Sequence, residues 1–162
     1  MRYPILLPAL FLVAAASTLE AQSTGDWEFV GVEISEKVGC INNPVTKYES
    51  HWIARGPGFD AQLADLRAAL KAKHSYYAST TRYTVRPGKP VAIGVVRKTV
   101  SCGQWSSNER KTVYSYKFYF GPDRAAVEEK ARNESKQYKE ILATEVIDWI
   151  DVAGELARRR GQ

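Results

Sequence analysis

The sequence predicts an α+β protein, an antiparallel sheet of about six strands with two helices packed on one face. Three observations predict it. Residues 27–35 and 111–120 alternate in polarity with the period of a strand. Two stripes of helical spacing follow Gly-Pro breaks, one after Gly56-Pro57 and one after Gly121-Pro122. The landmarks also recur: Gly31-Val32 and Gly94-Val95 lie 63 residues apart, Cys40 and Cys102 lie 62 apart, and the two Gly-Pro pairs lie 65 apart. A near-constant lag with small slips in loops is what tandem supersecondary units leave. The units run over residues 26–86 and 90–152, each β-β-α-β.

Trp27 to Ser35 reads as a strand, with Val30, Val32 and Ile34 on one face. Residues 38–46 hold Gly39, Asn42, Asn43 and Pro44, a turn composition. Lys47 to Arg55 is a second strand, with Tyr48, Trp52 and Ala54 on one side. Phe59, Leu63, Leu66 and Leu70 line one face of a helix over about residues 60–74, with Asp60 as its cap. Thr80 to Arg86 is β-branched and returns as a strand. Arg86-Pro87-Gly88-Lys89-Pro90 cannot sit inside a regular element and joins the units.

Val91 to Ser101 is an apolar strand, and Cys102 to Arg110 reads as a polar loop. Lys111 to Phe120 is the next strand, with Tyr114, Tyr116, Phe118 and Phe120 sharing a face that reads as core. Val127, Ala131 and Tyr138 mark the second helix. Leu142, Val146, Trp149 and Ile150 also fit helical spacing, but the repeat assigns residues 144–152 to a strand. From Gly154 the basic tail, 154–162, is expected to fray.

Arg2, the apolar run from Ile5 to Ala16 and small residues up to Ala21 read as a secretory signal over residues 1–21. The apolar run is shorter than the roughly 20 residues a membrane span needs. Residues 22–162 then form a single domain, periplasmic or secreted and without stable membrane insertion. An exported chain with an even cysteine count predicts one disulfide, Cys40–Cys102, joining equivalent points of the units. Closing a loop of about 60 residues is worth roughly 4 kcal/mol at most in the chain-entropy model. The formal net charge of +5 suits an acidic partner. Nucleic acid is not expected, because the cations are interspersed with Glu and Asp and no binding motif occurs.

The catalytic inventory is thin. His51 and His74 are the two histidines, read as a surface and a helix-end residue, and there is no G-x-S-x-G turn. No metal-ligand spacing or phosphate loop appears, so neither metal nor cofactor is expected. Asp148 and Asp151 flank Trp149 and are the carboxylates a hydrolase would use, although solvated strand charges explain them as well. Contact chemistry is richer. Trp105 stands among Gln104, Ser106, Ser107 and Asn108, and Tyr76 and Tyr77 follow the first helix. Large rigid rings among adaptable polar neighbours have the composition of recognition loops. The sequence thus predicts no enzyme but an exported binding protein that inhibits or sequesters another protein. An inhibitor or immunity protein against a periplasmic toxin or cell-wall hydrolase fits, with Trp105, Gln104, Asn108, Tyr76 and Tyr77 as contacts. The alternative is a small-ligand or glycan-binding module using an open aromatic sheet face.

Overall fold

The computed structural model describes residues 25–36, 38, 40, 43–74, 78–104 and 107–160. The first unit is β1 (Trp27–Ser35), β2 (Val45–Ala54), α1 (Phe59–Lys73) and β3 (Ala78–Val85). The second is β4 (Ala92–Gln104), β5 (Ser107–Gly121), α2 (Arg124–Gln137) and β6 (Ile141–Ile150), followed by α3 (Val152–Arg160). The six strands make two antiparallel sheets of three strands, with orders β2-β1-β3 and β5-β4-β6. In each unit the first strand is central, and its partners flank it in the same order. The fold is α+β, and both units are β-β-α-β.

The strands are divided between two sheets, not joined in one, and each sheet carries its own helix. Even-numbered positions of β1, Val30, Val32 and Ile34, pack with Phe59, Leu63 and Leu70 of α1. Val96 of β4 packs with Val127 and Ala131 of α2. The odd-numbered positions face inward, where Phe29 and Val85 of the first sheet meet Ile93, Val95 and Phe118 of the second. The layers therefore run α1, sheet, sheet, α2. The expectation of helices sharing one face of one sheet fails because each strand set has two apolar faces to cover. A helix covers the outer face, and the other sheet covers the inner one.

β5 crosses the inner face of the first sheet. Tyr116 meets Tyr48 of β2 at 5.4 Å between ring centroids, Phe118 meets Phe29 of β1 at 5.3 Å, and Phe120 stacks on Tyr83 of β3 at 4.9 Å. Each two-residue step, about 7 Å along β5, moves one strand across the neighbouring sheet, so the layers cross steeply. The crossing is close at Gly31, where a Cβ would stand 2.4 Å from a carbon of the Phe118 ring. Gly94 faces the other way, toward Val127 of α2. The 63-residue lag therefore joins positions on opposite faces. Face-equivalent positions of β1 and β4 differ by an even number, since side chains alternate along a strand.

Three local expectations change. Residues 102–104 and 107–110 are not loop: they continue the β4–β5 ladder, with Cys102 opposite Lys111 and Gln104 opposite Ser107. Cross-strand pairing overrode the polar composition there. Asp60 is not the cap of α1. Gly58 holds that place in the left-handed region at φ 81°, and Asp60 lies within the first turn. Residues 152–160 are helical, because Asp151 accepts from the Gly154 N–H at 3.0 Å and Val152 and Leu156 join the inter-sheet core. Arg159 also lies over the Trp27 ring, 5.3 Å from its centroid. The expected strand over 144–152 is β6, Ile141–Ile150.

Glu28 is a buried charge on the α1 side of β1, 3 % exposed. Arg55 donates to it at 2.7 Å, Arg82 at 2.8 Å and the Thr84 hydroxyl at 2.8 Å. Both guanidinium groups also lie against the Phe59 ring. Burial pushes the Glu28 carboxyl up, but the hydrogen bonds from Arg55, Thr84 and Arg82 together hold it below its usual 4.5. A depressed carboxyl stabilises the fold above its unfolded value, and that contribution disappears as pH falls through the lower folded value. Glu28→Gln should therefore cost about 2 kcal/mol at neutral pH, less than a fully buried pair because both arginines are partly solvated. The difference in melting temperature from wild type should shrink on acidification to about pH 3. A pH-independent difference would show that the charge is not what matters.

Candidate functional site

The carboxyl end of β1, the amino ends of β2 and β3 and the end of α1 lie at one pole, as the pairs Ile34–Lys47 and Ile34–Ala78 show. The β4–β5 hairpin is tied to this pole. Cys40, in the β1–β2 connection, and Cys102, near the end of β4, form a disulfide with Cα atoms 5.5 Å apart. Cys40 follows the first strand of its unit and Cys102 lies within the last residues of the first strand of the other, so the bond ties these two strand ends together.

Two of the sequence-predicted contacts lie in the strands of the β4–β5 hairpin. Gln104 is the last residue of β4, and Asn108 lies in β5 one residue past the start of that strand. Trp105, in the two-residue connection between them, lies outside the described residues. So do Tyr76 and Tyr77, between His74 and Ala78. Among the described residues, the end of α1 and the start of β3 lie at the disulfide pole, and Cys102 ties the end of β4 to it.

A cavity of about 330 Å³ opens at the same pole, bordered by Ile34, Thr46, Tyr48, Glu49, His74 and Tyr116. Glu49 organises it. Lys73, in the last turn of α1, donates to its carboxylate at 2.6 Å. The His74 Nε2 stands 3.6 Å from one carboxylate oxygen, and the His51 Nε2 stands 3.5 Å from the other. The hydrogen bond from Lys73 is the main cause that holds the Glu49 carboxyl below its usual range, against the opposing effect of burial. Both Nε2 atoms are shielded from solvent, and among the described residues each faces the Glu49 carboxylate without a hydrogen bond of good geometry. Glu49 is thus the acceptor that Lys73 and both imidazoles face.

Sequence reasoning missed this pairing of the two histidines. His51 shares a strand face with Glu49, and His74 ends the helix that covers that face. The available signal was the Glu49-x-His51 spacing on the face opposite Tyr48 and Trp52. Tyr48 and Tyr116 form the aromatic wall, and burial, followed by the charge of Asp148 and the nearby Tyr116, pushes the Tyr48 hydroxyl up.

The hydrolase carboxylates have structural partners. Asp151 caps α3, and Asp148 accepts from the backbone N–H of Trp149 at 2.8 Å. The aromatic face that a glycan platform would use is not open, since Phe118 is 2 % exposed between the sheets. Tyr114 is the exception on that row, at 52 % exposed. Among the described residues no group of three or more His, Cys, Asp or Glu is placed to hold a metal ion. Among the same residues no helix is long and apolar enough to cross a membrane. In comparisons with known proteins, no family model, no curated protein and no solved structure matches this chain.

Proposed function

We propose that this chain is an exported binding protein that inhibits or sequesters another protein, docking through the disulfide pole. The observation that carries the reading is convergence. One end of the fold gathers the disulfide, the described ends of three connections, and a Glu49 carboxylate faced by Lys73 and two imidazoles. A disulfide-tied pole with a charged cluster and an aromatic wall suits recognition by shape, which needs no reacting group. The apolar run at 5–16 and the disulfide support an oxidising compartment outside the cytoplasm. A toxin or cell-wall hydrolase of that compartment is the class of partner proposed.

The test is affinity capture from the native cell envelope, followed by titration with the captured protein. Trp105→Ala should weaken a stoichiometric partner by about 2 kcal/mol, as for an interface anchor. Tyr138→Ala, at an exposed ring beyond α2, should leave binding unchanged. Equal loss in both variants, or no stoichiometric partner with wild type, would overturn the reading.

A further inference from the structure

A second recessed surface lies at the other end of the molecule, beside Trp27 and Val85, which pair there. Two cavities adjoin through Tyr83 and Pro90. One is about 530 Å³ and reaches Phe120, Pro122 and Lys130. The other is about 320 Å³ and reaches Thr84, Arg86 and Lys89. Together they form a cleft between β3 of one sheet and the end of β5 of the other.

The lining is apolar and cationic. Tyr83 and Phe120 stack nearly parallel, with an interplanar angle of 5°, and Tyr83 remains 38 % exposed. Pro90 and Pro122 supply rigid apolar walls. Lys130 donates to the Phe120 carbonyl at the rim. Lys89 is exposed on the turn, and Arg86 lies 3.6 Å from Asp26. Among the described residues no Asp or Glu lines either cavity. The cleft also runs along β3, which among the described residues is an outer strand paired with β1. Its second edge carries backbone N–H and C=O groups outside the ladder, the feature that extended segments use to add a strand.

We propose that this cleft docks an extended acidic segment of another protein. The segment adds to the outer edge of β3, its carboxylates meet Lys89, Arg86 and Lys130, and its apolar side chains enter beside Tyr83 and Pro90. The charge of the lining selects an acidic occupant, and the strand edge selects a peptide over a polysaccharide. The site is distinct from the disulfide pole and does not depend on the function proposed for that pole.

The experiment uses the full chain and fluorescence anisotropy. The probes are a short labelled peptide of alternating Glu and Val, the same peptide with Gln for Glu, and polygalacturonate as a competing anionic glycan. The acidic peptide should bind, weaken with added salt, and bind at least about tenfold more tightly than the neutral one. Lys89→Glu and, separately, Arg86→Gln should each weaken it by about fivefold, while Lys111→Glu, outside the cleft, should not. Circular dichroism melting of each variant separates lost binding from lost fold, and Lys89, on an exposed turn, is the variant least exposed to that confusion. Equal binding of the neutral peptide, or indifference to Lys89→Glu, would overturn the proposal. Displacement of the peptide by polygalacturonate from the wild-type protein would do so as well.

Discussion

Phe118→Ala is expected to lower the unfolding free energy by about 4 kcal/mol, in the range of large aromatic truncations in a core. Phe118 is buried at the crossing of the layers, edge-on to Phe29 at 5.3 Å and to Tyr48 at 5.8 Å. Its backbone N–H also donates to the Glu33 carboxylate at 3.2 Å, and Ser79 and Thr81 of β3 donate to the same carboxylate. The residue thus links the two sheets by packing and by a buried hydrogen bond. The side chain lies over Gly31, so Gly31→Ala should cost about 2 kcal/mol through overlap with the ring. Combining Gly31→Ala with Phe118→Leu should cost clearly less than the sum, because the smaller side chain yields to the new methyl group. Urea unfolding of the four proteins measures this coupling. Strict additivity would mean that Gly31 does not need its bare backbone for this contact.

Replacing both cysteines, Cys40→Ser with Cys102→Ser, should cost about 3 kcal/mol. The bond closes a loop with a sequence separation of 62, for which chain entropy alone gives about 4 kcal/mol. Part of that is offset by residual structure in the unfolded chain. A reductant should lower the melting temperature of wild type to that of the double variant, and should leave the variant unmoved. The inter-sheet core lies elsewhere, at Phe29, Ile93 and Phe118, so near-ultraviolet dichroism should survive the loss. Partner binding at the pole should weaken more than the fold does, since the bond positions the hairpin end against the β1–β2 connection. Unchanged affinity in the reduced protein would separate the disulfide from recognition.

The legible parts were those with a local period. Val30, Val32 and Ile34 announced β1, and Phe59, Leu63 and Leu70 announced the covered face of α1. The cysteine pairing was legible because only two cysteines occur. Gly31 and Gly94 misled, because a dipeptide match carries no information about which face it occupies. The polar stretch at 102–110 misled in the same way: its composition says loop, and its partners across the ladder hold it extended. His51 and His74 each looked like an ordinary surface residue. They became a pair when α1 laid its end over the face of β2 that carries Glu49.

By itself the sequence determined the order of the six strands and the first two helices, and the one covalent bond, because backbone preference, side-chain alternation and cysteine count act over short spans. The tertiary structure alone decided that the halves stack face to face, that the last residues close one end as a helix, and that two imidazoles share a carboxylate. Those outcomes depend on which apolar faces remain uncovered once every strand has found its neighbours, a quantity no stretch of chain carries within itself.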